Sequence, residues 1–265
     1  MSIRLLTAAL GCIALVFGTG AHATESRSET LEDFVDVVPS DLEALTPLTT
    51  AGIAFDYNEG KFGASKKSTA ASMAPFIRLE WEKVVIRSSL PLFRLEGPFN
   101  PVDEDLTETD LGIGDLTSSV SYTFYPPAAG LPFVDAVVKL KFPTATNNFG
   151  TDKFDVTLQL DAVHSITDKV AVFADFGYRF RGGAAYRDTM LASVGGGIQA
   201  PSGIGIWLAY DWRETPFDGR GDEHELVQFL SFPIGEQFRF DPYLVVGLSD
   251  ASPDWGLGSV FSWTF

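Results

Sequence analysis

From Thr50 to the last residue, apolar and polar positions alternate with a period of two, in runs of about ten residues separated by turns. Period two marks strands, because successive side chains leave a strand on opposite faces. Over 170–181, Val170, Val172, Ala174, Phe176, Tyr178 and Phe180 share one face, while Ala171, Phe173, Asp175, Gly177, Arg179 and Arg181 share the other. Over 204–213, Ile206, Leu208, Tyr210 and Trp212 oppose Trp207, Ala209, Asp211 and Arg213. Over 133–142, Val134, Ala136, Val138, Leu140 and Phe142 oppose Asp135, Lys139 and Lys141. The pattern predicts about twelve strands: 50–58, 72–82, 84–96, 111–125, 133–144, 154–166, 169–181, 189–200, 204–213, 224–234, 238–249 and 255–265. Tight turns fall at Trp81-Glu82-Lys83, Thr167-Asp168, Ser202-Gly203 and Gly235-Glu236. Longer polar loops fall at 59–71, 97–110, 145–153, 182–188, 214–223 and 250–254.

Aromatic residues make up 13% of the chain, yet after the first residues no apolar stretch is long enough for a membrane helix. A membrane protein of this kind closes its strands into a barrel, since closure alone satisfies every backbone hydrogen bond in lipid. The predicted fold class is therefore all-β, a transmembrane antiparallel up-and-down barrel of about twelve strands with a short N-terminal periplasmic arm. Short turns face the periplasm and long loops face outside, which puts both chain ends on the periplasmic side. A soluble β-sandwich is the competing reading of the same alternation.

The last strand favours the barrel. Trp255, Leu257, Ser259, Phe261, Trp263 and Phe265 fall on one face, opposite Gly256, Gly258, Val260, Ser262 and Thr264. An alternating strand ending on Phe265 resembles the signal read by the barrel-assembly machinery, which makes that machinery an expected partner beside outer-membrane lipid. The first residues carry an export address: Arg4, an apolar run from Leu5 to Phe17, and the small residues Ala21 and Ala23 around His22. Residues 1–23 are thus expected to be a signal peptide. Cys12 sits inside the apolar run without the usual leucine three places before it, so plain cleavage is preferred over a lipid anchor.

Residues 24–49 form an acidic arm holding Glu25, Glu29, Glu32, Asp33, Asp36, Asp41 and Glu43 against Arg27; the barrel occupies 50–265. Leu31, Phe34, Val35 and Val38 have helical spacing, and a solvated arm is the competing reading. The formal net charge of −16 argues against nucleic acid as a partner, because binding its backbone needs basic patches. With Cys12 in the address, the mature chain has no disulfide framework, thiol nucleophile or cysteine metal site.

Ionisable groups at membrane depth are expensive and functional, so the lumen parity is where chemistry is expected. There the hairpins bring Lys139, Lys141, Asp155, Arg179 and Arg181 together in the outer half, above an acidic tier of Asp135, Asp161 and Asp175. Arg78 and Arg87 pair across the second hairpin near the periplasmic end, with Glu80 close by. These ten charged residues, Glu80 aside, are the candidate solute pathway, since charged rings steer and select solutes. The competing role is that of ion-pair struts bracing a water-filled barrel. The acidic arm also has the charge to enter the lumen as a plug.

No catalytic, cofactor or metal set emerges. His164 falls on the lipid parity near a periplasmic turn, and His224 begins a strand after a loop; neither has a nucleophile pattern. Asp103, Glu104, Asp105, Glu108 and Asp110 have oxygen ligands for calcium but not the spacing of a calcium loop. An outer-membrane hydrolase is the different-class alternative.

Four segments resemble the outer-membrane family associated with the MetA pathway of phenol degradation. Gly112-Ile113-Gly114-Asp115-Leu116 looks like its GxGDL strand opening. Lys141-Phe142-Pro143-Thr144 resembles its KLPTG, with Ala145 in place of the glycine. Phe149-Gly150-Thr151-Asp152-Lys153-Phe154-Asp155 resembles LGTGxTD, with Asp152 in place of a glycine. Leu248 to Gly256 matches its closing GLSDGSPDWG. The likeness covers 111–265. It implies an outer-membrane channel for passive uptake of small solutes, aromatic or apolar ones favoured. A closed barrel with a structural or surface role is the runner-up.

Overall fold

The computed structural model describes residues 46–97, 108–124, 130–146, 149–183, 186–217 and 219–265. The signal peptide, nearly all of the acidic arm with its plug, and the acids of loop 98–107 lie outside the described residues. The strands are β1 (Leu48–Gly60), β2 (Ser68–Glu80), β3 (Val84–Ser89), β4 (Leu92–Gly97), β5 (Glu108–Ile113), β6 (Leu116–Phe124) and β7 (Phe133–Phe142). They continue with β8 (Asp155–Ser165), β9 (Val170–Phe180), β10 (Thr189–Gln199), β11 (Gly205–Arg213), β12 (Glu223–Ile234), β13 (Phe238–Gly247) and β14 (Trp255–Thr264).

Every pairing is antiparallel, and β1 pairs with both β2 and β14, which closes the sheet. β3 and β4 are halves of one crossing and β5 and β6 halves of the next, so the barrel has twelve crossings. The alternation thus located every crossing, and its loop 59–71 contracts to 61–67 because β1 and β2 pair out to Gly60 and Ser68. At the closing seam, Lys67 bonds Asp254 at 2.8 Å and Glu59 at 3.0 Å. The Asp254 carboxylate, then that of Glu59, raises the Lys67 pKa above the usual lysine value.

The interruption in crossings three and four has a local cause. Pro91 offers no N–H to a ladder, and between the pairs Ser89↔Thr117 and Leu92↔Ile113 two residues, Leu90 and Pro91, face three, Gly114, Asp115 and Leu116. This is a β-bulge, and the extra residue shifts side-chain parity. Inward positions are even at Gly112 and Gly114 but odd at Thr117, and Asp115 is turned inside as well. The bond from Gly114 N to Pro91 O, 2.8 Å, carries the ladder through.

Exposure runs opposite to that of a water-soluble protein. Leu160, Leu208, Phe176, Val194 and Leu257 point outward and are more than half exposed, whereas Glu225, Asp211 and Arg87 point inward and are buried. A contiguous apolar belt of this extent is stable only against an apolar medium. Aromatics cluster at the rims: Tyr57 with Trp255 outside, and Phe238, Trp263 and Phe265 at the short-turn end.

Candidate functional site: charged and aromatic stripes in the lumen

Closing a barrel staggers its strands, so a row of hydrogen-bonded neighbours climbs the wall as a spiral instead of forming a level ring. One such row runs Thr264–Thr50–Arg78–Arg87–Ser119–Lys139–Thr157–Arg179–Thr189. Each member is a cation or a hydroxyl residue. The row starts beside the short turns at Arg78 and ends at the outer rim at Arg179. Arg179 Nε donates to Thr157 Oγ1 at 3.2 Å, and a small cavity lined by Arg87, Ser89, Thr117, Ser119 and Lys139 lies on the row.

A second row, Thr123–Asp135–Asp161–Asp175–Ser193–Asp211–Glu225, contains acids and hydroxyls alone. It runs parallel to the first, four residues nearer the short-turn end on β7 to β10, about 13 Å along the strand. Between them lies a row with Val137, Gln159, Gly177 and Leu191 that ends on Arg213 and Glu223, an ion pair at 2.8 Å.

The sequence expectation is thereby refined. Asp135, Asp161 and Asp175 are one register row, but it is the lower part of a staircase that Asp211 and Glu225 continue. The expected basic cluster divides. Lys139 and Arg179 belong with Arg78 and Arg87, while Lys141, Asp155 and Arg181 form a mixed row. Lys141 Nζ lies 3.5 Å from the Asp155 carboxylate, and Arg181 approaches Asp155 at 4.0 Å. Arg78 and Arg87 stand opposite each other across β2 and β3, and Glu80 forms an ion pair with Arg78. His164 is half-buried near its turn. His224 faces the outer wall, where its Nδ1 meets the Tyr210 hydroxyl at 2.7 Å.

A third row was not foreseen as a site. Ala171–Gly197–Trp207–Phe229–Tyr243–Gly258–Asp56–Ser72–Phe93–Gly112 climbs from the short-turn end at Ala171 to the outer end at Gly112. Its rings are buried inside the barrel, and Trp207 and Phe229 stack at 6.3 Å. Glycine next to a ring is required here. A Cβ on Gly197 would collide with Trp207, and one on Gly258 with Tyr243. Phe76, Phe173, Val227 and Val245 thicken the apolar layer, and the Tyr243 hydroxyl donates to Asp56.

The motif segments at the outer mouth meet in space. Asp115, wholly buried, accepts hydrogen bonds from Thr144 N and Ala145 N at 2.9 Å each and from Lys141 Nζ at 2.6 Å. Lys141 also donates to Thr151 Oγ1 at 2.7 Å. Thr144 Oγ1 accepts from Leu116 N, and Thr146 bonds Ile113 through its N and its Oγ1. Residues 143–146 and 149–154 are so tied to the bulge. Asp152 has φ +52°, the left-handed region that favours glycine. Replacing Asp152 by glycine is expected to raise stability by about 0.5–1 kcal/mol, read as a higher urea midpoint; a lower midpoint would contradict it.

A closed antiparallel barrel with an apolar belt and a charged interior defines the class: a transmembrane β-barrel of the outer-membrane type. Known structures share the fold. An outer membrane channel from Pseudomonas putida F1 superposes with a TM-score of 0.68 at 18% identity, covering 87% of this chain and 100% of that one. The NanC porin gives 0.54 at 8% identity, covering 81% and 98%. The β domain of the Bordetella autotransporter BrkA gives 0.53 at 11%, covering 83% and 100%. No protein-family model and no curated protein matches the chain, so the MetA-pathway likeness rests on its motifs. At these identities the likeness establishes the fold, which channels and an autotransporter share.

Proposed function

We propose that this protein is a passive channel of the outer membrane for small solutes, with planar aromatic and otherwise apolar compounds favoured. The single observation that carries this reading is the aromatic row, with Trp207, Phe229 and Tyr243 inside the lumen towards the short-turn end and Phe93 towards the outer end, where a water-filled strut lattice would need only polar groups. Beside it, the basic row Arg78–Arg87–Lys139–Arg179 and the acidic row from Asp135 to Glu225 set a field across the path and select by charge. Outer-membrane lipid, and the assembly machinery reading the strand that ends on Phe265, are the partners this role requires.

Swelling of liposomes carrying the mature protein tests the reading with phenol, benzoate and sugars. Relative to protein-free liposomes, which phenol enters unaided, a larger gain in entry for phenol and benzoate than for sugars of similar size is expected. The burial of the lumen-facing side chains favours a second reading, a closed barrel with a structural role, and entry of every one of these solutes no faster than into protein-free liposomes would select it. For the charged rows, changing Arg87 and Lys139 together to glutamate is expected to shift permeability severalfold toward cations. The reversal potential in a salt gradient reads this; an unmoved potential would leave the basic row outside the path.

A further inference from the structure

Phe149 belongs to loop 143–154, which an outer-membrane barrel ordinarily sends into solvent. Here the ring is only 1% exposed. It lies parallel to Phe93 at 6.0 Å, against Ala70 and Leu95. Phe93 and Gly112 are the outer end of the aromatic row, and Gly112 is matched to the ring: a Cβ there would collide with Phe149. Gly150 then has to pass Asp115 and Ala145, with both of which a Cβ would collide. A flat slot, open to one planar ring, therefore stands at the outer mouth, and the chain's own Phe149 fills it.

We infer that Phe149 is a tethered occupant of a ring-binding site at the outer mouth, and that planar apolar solutes enter the aromatic row by displacing it. This rests on the channel reading and deepens it by assigning the first contact of the solute. The tether consists of hydrogen bonds and an ion pair between the loop and strand residues, at Asp115 with Lys141, Thr144 and Ala145, between Thr144 and Leu116, between Thr146 and Ile113, and between Lys141 and Thr151, so the ring can leave without breaking any strand pairing. The occupant is thus a plug the size of the solute it yields to.

The test uses the full mature protein refolded in detergent, with heat-modifiable migration as the check on folding. 19F NMR follows 4-fluorobenzyl alcohol against wild type, Phe149→Ala, and Phe149→Ala combined with Gly112→Val, in which new methyls refill the slot. Phe149→Ala is expected to bind the probe at least about tenfold more tightly than wild type, and the double variant to return to the wild-type level. Equal binding by wild type and Phe149→Ala, or binding that survives Gly112→Val, overturns the inference. Planar-bilayer currents separate it from the channel reading. Tighter binding without current in either protein removes the channel and the displacement step but leaves the slot; current without tighter binding keeps the channel and removes the slot.

Discussion

Alanine at Trp207 and Phe229 is expected to cost the barrel about 3–5 kcal/mol for each ring lost and, at the same time, to raise its single-channel conductance severalfold. The two effects have one source. Both rings are buried in the lumen, stacked on each other, and sit in register between Gly197 and Tyr243. Removing them leaves a cavity that the wall cannot collapse to fill, because each strand is held on both sides by its ladder. In a soluble core that cavity would be a loss alone. Inside a barrel it opens into the lumen below Asp211 and Glu225 of the acidic row, which stand four residues nearer the outer end on β11 and β12, admits water and widens the path. Urea unfolding in lipid reads the first effect and planar-bilayer recording the second. Loss of stability with unchanged conductance would mean that the stack is structural and lies off the path. Substitution of the outward-facing Leu208, one residue from Trp207, is the control expected to leave conductance alone, since Leu208 faces lipid.

Period two carried the sequence far because it reports which way a side chain leaves the wall. Asp175, Arg179, Trp207 and Asp211 all stand on the face the alternation assigns them. What alternation cannot report is stagger. Arg78 and Arg179 are far apart in sequence, and their membership of one row depends on how β2, β3, β6, β7, β8 and β9 slide against one another, which is set when the barrel closes. The acidic residues looked like a level tier for the same reason. Alternation puts Trp207 on the lumen face, but it does not tell that Phe229 meets it there: the two rings stack only because β11 and β12 pair in this register. The bulge at Asp115 was illegible because Gly112 and Gly114 have no side chain to record the parity that changes there. The motif resemblance named the segments that build the outer mouth, but nothing in their spacing tells that Phe149 turns inward.

Changing Asp115 is expected to be the most damaging single substitution outside the aromatic row. Its carboxylate is fully buried and serves three donors, Lys141 Nζ and the N–H groups of Thr144 and Ala145. Asp115→Ala orphans two backbone N–H groups and leaves a buried ammonium short of its nearest anion, a loss of about 3–5 kcal/mol. Lys141→Met is expected to cost about half as much, because Asp115 then keeps both backbone donors while Asp155 keeps Arg181 nearby. Asp115→Asn separates charge from shape: one oxygen still accepts from the loop, but the new amide turns donors toward the Lys141 ammonium, so a nearly isosteric change is expected to act like a deletion. The double variant Asp115→Asn, Lys141→Met removes that conflict and should recover part of the loss, a coupling of about 0.5–3 kcal/mol. Unfolding free energies supply the cycle, and trypsin cleavage after Lys153 supplies an independent view of loop release. Additive losses across the cycle, or a loop equally resistant in all four proteins, would show that the ion pair does not hold the loop; the ring of Phe149 would then owe its place to Phe93 and Gly112 alone.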